Sequence, residues 1–119
     1  MKLSRIRGRK ANDYLRRKGK VWKGKTMTVR YLLGAPKHPN INPETMAIYV
    51  GTAASVKLDK SAVKRNRMRR RCREALRREI KERTKVPTIQ LLISPRAASL
   101  SCDFDDIKED VVTFLSMHS

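Results

Sequence analysis

Apolar residues recur along the chain with two different periods, and the change of period marks the secondary-structure elements. Runs rich in β-branched, aromatic and aliphatic residues predict three strands, at 26–33, 46–53 and 86–94. Apolar residues at helical spacing predict a long helix over 60–83 and another over 104–117. A short helix is predicted over 9–18, because Gly19 is well suited to the position just after a helix.

The predicted order is therefore helix, strand, strand, helix, strand, helix. Residues 34–45 hold three prolines, two asparagines and a glycine, which is typical of a loop. This order predicts an α+β fold, with a small central sheet of three to four strands and helices packed on it. The length of 119 residues indicates one domain over 1–119, in which the basic residues 1–8 are expected to form a flexible arm.

The two longer helices each show an apolar stripe that should face the sheet. In the helix over 104–117, Asp103 is expected to be the N-cap, and Asp105 and Asp106 lie where the helix dipole favours acids. The apolar stripe of that helix is Phe104, Ile107, Val111, Phe114 and Leu115. The stripe of the helix over 60–83 is predicted to be Val63, Met68, Cys72, Ala75, Leu76 and Ile80.

Charge changes the picture from a generic small domain to a binding protein. The chain has 29 Lys and Arg against 11 Asp and Glu, a formal net charge of +18. Residues 64–78 carry nine of the basic residues and a single acid, whereas 103–110 carries five acids and one Lys. Such segregated charge predicts a polyanionic partner. Nucleic acid is favoured over an anionic membrane, because no amphipathic helix with bulky apolar anchors is evident.

The helix over 60–83 concentrates the basic residues around its polar side. At about 100° per residue, Asn66, Arg70, Arg73 and Arg77 are predicted to lie opposite the stripe. Arginine forms bidentate hydrogen bonds with phosphate and stacks on bases, so an RNA-binding face is favoured over a merely solvated one. The predicted RNA-binding residues are Lys60, Lys64, Arg65, Asn66, Arg67, Arg69, Arg70, Arg73 and Arg77. Asn66 is either a polar contact to RNA or an exposed helix residue.

No catalytic residue and no metal site are predicted from the sequence. His38 and His118 have no evident nucleophile or carboxylate partner. The acids near 103–106 could bind Mg²⁺, but helix capping explains them more simply. Cys72 and Cys102 have neither metal-ligand nor disulfide spacing, which favours free thiols in the cytoplasm. The basic N-terminus has no apolar run after it, and no stretch is long enough to span a membrane.

The segment DKSAVKRNRMRRRCREAL, residues 59–76, resembles the signature of the bacterial ribonuclease P protein family. The match includes Ala62-Val63 and, one residue later, Arg65-Asn66-Arg67. The flanks agree as well, in Tyr49-Val50-Gly51 before the segment and in Ile93-Ser94-Pro95-Arg96 after it. The resemblance extends from about residue 13 to residue 115.

This resemblance implies a fold and a function that periodicity alone does not give. It implies a left-handed βαβ crossover, and two partners, the ribonuclease P RNA and precursor tRNA. The RNA subunit would cut the 5′ leader using Mg²⁺, while the protein held the leader in a cleft between the first helix and the sheet. Tyr14 and Tyr31 would contact the leader, although each could instead be a packing residue. Basic residues near the N-terminus would add phosphate contacts, namely Arg5, Arg7, Arg9 and Lys10. No membrane and no obligate protein partner are expected.

Two other classes of protein share the size and charge. A ribosomal protein or RNA chaperone of similar fold would not need the Ala-Val-x-Arg-Asn-Arg pattern. A DNA-binding regulator would usually dimerise and place a helix in the major groove, which a long helix packed against a sheet matches poorly.

Overall fold

A computed structural model describes residues 2–6, 9–36, 47–83 and 87–118, and these form one sheet with helices on both faces. The strands are β1 (Lys2–Arg5), β2 (Lys20–Lys23), β3 (Met27–Leu33), β4 (Ala47–Thr52) and β5 (Ile89–Pro95). The helices are α1 (Arg9–Lys18), α2 (Ala62–Glu82) and α3 (Phe104–Ser116), with a short 3₁₀ helix at Ala97–Leu100 before α3. The α+β class is confirmed, whereas the expected number of strands was too low.

The sheet is mixed, and β5 lies at its centre. The strand order is β1-β4-β5-β3-β2. The pairs β1–β4 and β4–β5 are parallel, and the pairs β3–β5 and β2–β3 are antiparallel. The three predicted strands correspond to β3, β4 and β5, so the sequence pattern found the interior of the sheet and missed both edges.

The two missed strands have four residues each and are rich in lysine and arginine. Their alternation of apolar and polar residues is too short to be recognised. They form strands because a neighbouring strand offers backbone N–H and carbonyl groups for hydrogen bonds. Residues 2–5 of the expected N-terminal arm form β1 and pair with β4. The Ile6 N–H then donates to the Val50 carbonyl at 2.9 Å. Residues 1, 7 and 8 lie outside the described residues, as do 37–45 of the predicted loop and Met46 at the start of the predicted strand.

α2 connects β4 to its parallel neighbour β5, which gives the βαβ unit that the family resemblance implies. The left-handedness of this crossover stays a prediction. α2 begins two residues later than predicted, because Ser61 is its N-cap and accepts a hydrogen bond from the Lys64 N–H at 3.3 Å. The Asp59 carboxylate accepts one from the Ser61 N–H at 2.8 Å, which fixes the turn before the helix.

The sheet buries different amounts of apolar surface on its two faces. α2 and α3 cover the face with the larger core, to which alternate residues of β3, β4 and β5 contribute, including Val29, Ile48 and Leu91. α1 covers the other face with a smaller cluster around Leu15, Tyr49 and Leu92. One face thus anchors α2 firmly, while the α1 face keeps more open surface.

A buried carboxylate connects α3 to the turn between β2 and β3. Asp110 Oδ2 accepts hydrogen bonds from the Thr26 N–H at 2.7 Å and the Thr26 hydroxyl at 2.6 Å. Both residues are buried. Asp103 occupies the predicted N-cap position of α3, but its side chain makes no capping hydrogen bond. Asp110 is therefore an acid of α3 that contributes to packing, and the sequence analysis did not single it out.

Replacing Asp110 by Ala should lower the free energy of unfolding by about 2–3 kcal/mol, because two buried donors of Thr26 would lose their acceptor. The measurement is urea unfolding followed by circular dichroism. Glu109→Ala is the matched control, since Glu109 is exposed on the same helix and its loss should cost less than about 0.5 kcal/mol. Equal losses for the two variants would contradict this account.

Candidate nucleic-acid interface

The outer side of α2 carries the predicted basic surface, and the inner side is buried against the sheet and α3. The buried residues of α2 are Met68, Cys72, Ala75, Leu76, Glu79 and Ile80. Among the predicted RNA-binding residues, Lys60, Lys64, Asn66, Arg67, Arg70 and Arg77 are exposed. We call the outer side of α2 the arginine face, defined by Arg67, Arg70, Arg73 and Arg77. Its cations point outward because the helix has only one narrow apolar stripe to bury.

Val63 does not belong to the buried stripe, although the sequence analysis placed it there. Its side chain is 74% exposed. Val63 precedes Met68 by five residues, which is a rotation of about 140° on the helix. It therefore lies beside the basic side chains at the start of α2.

Arg65 and Arg69 were predicted to bind RNA, but both are half-buried and hold backbone of this chain. The Arg65 guanidinium donates to the carbonyls of Asp59 at 2.8 Å and Lys60 at 3.2 Å. Arg69 donates to the Ala54 carbonyl at 3.1 Å and to Asn66 Oδ1 at 2.7 Å. These two arginines fasten the loop between β4 and α2, and they place Asn66 at the edge of the basic surface.

Arg71 also acts within the fold. Its guanidinium donates to the Ser99 carbonyl at 2.7 Å and to the Cys102 carbonyl, so it joins α2 to the 3₁₀ helix that precedes α3. The sequence analysis assigned no role to Arg71, and its contacts show that it packs within the fold.

Glu74 neutralises part of the arginine face. Its carboxylate accepts from Arg77 Nε at 3.0 Å and from Arg78 Nε at 2.9 Å. Hydrogen bonds from Arg77 and then Arg78 lower the pKa of Glu74 to about 2, so this carboxylate is ionised throughout the neutral range. Arg77 is therefore exposed but already paired.

Arg67, Arg70 and Arg73 form no hydrogen bond or ion pair with the described residues. They line a groove of about 600 Å³ whose other members include Leu3 on β1 and Phe104 on α3. Arg73 is half-buried there, and desolvation and the charge of Arg5 lower the pKa of its guanidinium. Since an arginine pKa lies far above neutrality, Arg73 stays charged. These three arginines are available for an external anion.

The two predicted leader-binding tyrosines lie on opposite sides of the sheet. Tyr14 is 47% exposed on α1. Tyr31 is half-buried in the core beneath α3, where its ring centroid lies 5.2 Å from that of Phe114 and 4.6 Å from that of His118. The structure therefore does not bring Tyr14 and Tyr31 together.

A second groove, of about 430 Å³, lies between α1 and α2, and Arg69 is the lining residue that the sequence analysis predicted to bind RNA. Arg16 and Arg69 contribute to it from the two helices. Its other lining residues are Ala53, Ala54, Ser55, Leu58, Ser94 and Pro95. The sequence feature that could have indicated this groove is the run of small residues at Ala53–Ser55, since small side chains leave room beside the two arginines.

The groups that could suggest protein-based catalysis have ordinary structural surroundings. Burial raises the pKa of the Cys72 thiol to about 12, which keeps it protonated and unreactive. Burial, and next the charge of Lys20, lower the pKa of His118, whose ring lies against Tyr31 and Phe114. The described residues contain no group of side chains arranged to hold a metal ion. Among these same residues, no helix has the length and apolarity needed to cross a membrane. His38, Arg7 and the side chain of Arg9 lie outside the described residues.

Comparison with known proteins decides the family. The family model described as Ribonuclease P matches residues 1–118. The protein belongs to the ribonuclease P protein family. A relative named ribonuclease P protein component, from Synechococcus sp. (strain RCC307), is 31% identical over 113 residues, covering 93% of this chain and 88% of the relative.

Solved structures of ribonuclease P proteins share the fold. The protein from Thermotoga maritima aligns with a TM-score of 0.74 over 98% of both chains, at 19% identity. The protein from Staphylococcus aureus aligns with a TM-score of 0.69 over 97% of both chains, also at 19% identity. Membership of the ribonuclease P protein family carries an RNA-binding role, with the ribonuclease P RNA as partner.

Two adjacent arginines, Arg70 and Arg71, should respond differently to removal. Arg71→Ala should lower the free energy of unfolding by about 2 kcal/mol, because it removes charged hydrogen bonds to two carbonyls. Arg70→Ala should leave stability within about 0.5 kcal/mol, yet weaken RNA binding about tenfold. Urea unfolding and a filter-binding titration of folded protein measure the two effects. Similar profiles for both variants would contradict the division of the helix into packed and free arginines.

Proposed function

We propose that this protein is the subunit of ribonuclease P that docks on the catalytic RNA through the arginine face of α2 and grips precursor tRNA by its 5′ leader. The observation that carries this proposal is the set of guanidinium groups without a partner among the described residues, those of Arg67, Arg70 and Arg73, on a helix whose other side is buried. A rigid helix loses little further conformational freedom when it binds. Its cations release counterions from the RNA backbone, which favours association.

In this proposal the RNA subunit performs the hydrolysis with Mg²⁺, as the family resemblance implies. The protein contributes positive charge close to the RNA phosphates. Folded RNA without protein relies on Mg²⁺ to offset phosphate repulsion, so bound arginines should lower the Mg²⁺ concentration that cleavage requires.

The 5′ leader would lie along the side of α1. Tyr14 presents an exposed aromatic ring there, and aromatic rings stack on unpaired bases. Arg16 supplies a cation in the groove between α1 and α2, where a phosphate of the leader could be held. Tyr31 has no place in this surface, because its ring is covered by Phe114 and His118 on the opposite face.

The cytoplasm is the proposed location. Cys72 and Cys102 are both free thiols, and free thiols are typical of a reducing compartment. Processing of precursor tRNA in that compartment would bring the protein and both RNA partners together.

A cleavage assay at low Mg²⁺ tests the proposed function. The protein is mixed with a bacterial ribonuclease P RNA and a 5′-labelled precursor tRNA, and leader release is followed over time. Wild-type protein should restore cleavage at the correct site, and an Arg67→Ala/Arg70→Ala double variant should need substantially more protein to do so. Lys23→Ala is the control, since Lys23 is exposed on the opposite edge of the sheet. If wild-type protein binds the RNA but does not stimulate cleavage, a ribosomal or chaperone role replaces this proposal.

Tyr14→Ala should weaken binding of precursor tRNA to the holoenzyme about tenfold and leave binding of mature tRNA unchanged, because only the precursor carries a leader to stack on the ring. Tyr14→Phe is the matched variant, since it keeps the ring and should behave as wild type. Affinities are measured in Ca²⁺, which slows cleavage. Equal losses for precursor and mature tRNA would place Tyr14 outside the leader path.

A further inference from the structure

Arg5 lies on an edge strand of the sheet, on the side that α2 covers. β1 pairs in parallel with β4, and Arg5 lies opposite Val50 in the register. The Ile6 N–H donates to the Val50 carbonyl at 2.9 Å, and the Ile6 side chain is buried on the α1 face. The backbone on both sides of Arg5 is thereby fixed, so this arginine is held in place.

Leu3 and Arg5 are two residues apart on one strand, so their side chains leave the same face of the sheet. Leu3 packs against the core that α2 covers, and it lines the 600 Å³ groove together with Arg73. Arg5 is exposed on this same side, close enough for its charge to act on Arg73. We call this site the β1–α2 groove, with β1 as one wall and the arginine face as the other.

The charges in the β1–α2 groove are not balanced. Glu74 is the acid among its lining residues, and its carboxylate is taken up by Arg77 and Arg78. Arg5 and Arg73 form no hydrogen bond or ion pair with the described part of the chain. Two neighbouring guanidinium groups without an acid repel each other, and an anion placed between them would remove that repulsion.

We propose that the β1–α2 groove holds one phosphodiester of the RNA partner between Arg5 and Arg73. This inference rests on the proposed function and adds to it a site built by two separate elements. Each guanidinium can donate two parallel hydrogen bonds to phosphate oxygens. A volume of about 600 Å³ is within the range of small-ligand sites, so the sugar-phosphate backbone can enter. Leu3 and Phe104 then offer apolar surface to the sugar.

The decisive experiment is a double-mutant cycle on binding to a ribonuclease P RNA transcript, measured at several salt concentrations. Arg5→Gln and Arg73→Gln should each weaken binding about tenfold. Each should also reduce the salt slope, which is the slope of log affinity against log salt concentration, by about one counterion. The double variant should bind little worse than either single variant, because all three lose the same phosphate contact. Lys23→Gln, on the opposite edge strand, should bind as wild type does.

Additive losses in the cycle, or single variants that match Lys23→Gln, would overturn the proposal. Unfolding curves ensure that only folded protein is compared. Arg73→Lys supplies a further check, since it keeps the charge but loses the bidentate geometry. It should recover the salt slope and only part of the affinity, whereas full recovery of affinity would indicate a diffuse electrostatic contribution and no defined site.

A second measurement tests the groove independently of which RNA the protein prefers. The side-chain Nε–Hε signals of Arg5 and Arg73 are followed by NMR during titration with a short single-stranded RNA. Both signals should shift together, with the same apparent affinity. If wild-type protein does not prefer ribonuclease P RNA over an unrelated structured RNA, the proposed function fails, and this titration still decides the groove. Unshifted Arg5 and Arg73 signals would overturn the groove even where the proposed function stands.

Discussion

Electrostatic repulsion among the cations of α2 is the constraint on which the arrangement of this protein depends. Nine basic residues lie within 64–78, and a compact fold must accommodate them without a matching number of acids. Several of these cations donate hydrogen bonds to backbone carbonyls or to the carboxylate of Glu74. The arginines held in this way are Arg65, Arg69, Arg71, Arg77 and Arg78. Arg67, Arg70 and Arg73 have no such partner among the described residues, and they form a cationic surface along one groove.

The arginines that hold backbone of this chain also fix the position of α2, and so of Arg67, Arg70 and Arg73. Arg69 holds the loop between β4 and α2, and Arg71 holds the segment before α3, so the helix is fixed near both flanks. At the far end, Arg83 donates to Glu79 at 2.9 Å and to the Ser116 hydroxyl of α3 at 3.0 Å. A binding surface on such a helix is pre-organised, which reduces the entropy lost on association. The same residue type thus serves both structure and recognition, and sequence position alone does not separate the two.

The parts of the fold that the sequence could predict are those whose signal is local. α1 was predicted with the bounds it has, and β3, β4 and β5 fell within a few residues of their observed limits. The family signature identified the helix that carries the basic surface. β1 and β2 could not be predicted, because four-residue basic segments become strands only where a neighbour leaves backbone groups free.

The candidate site was predictable as a helix face but not residue by residue. Helical spacing cannot show that Arg65 turns back to Asp59 and Lys60, since those contacts depend on the path of the preceding loop. Strand alternation likewise cannot show that Tyr31 faces α3, because it fixes only which residues share a face of the sheet and not which helix covers that face. Arg5 and Arg73 are 68 positions apart in the sequence, and it is the pairing of β1 with β4 that puts Arg5 on the side of the sheet that α2 covers.

The central place of β5 has a consequence for how the chain assembles as it is synthesised. Among the described residues, β1 pairs with β4 alone and β2 with β3 alone, so β5 is the strand that joins the two halves of the sheet. β5 is also the last of the five strands in chain order, so it is synthesised after the other four. Until then the apolar stripe of α2 has no complete surface to cover, and parallel pairing over long sequence separations is slow to form. The arginine face therefore has its full support only once β5 has joined the two halves of the sheet.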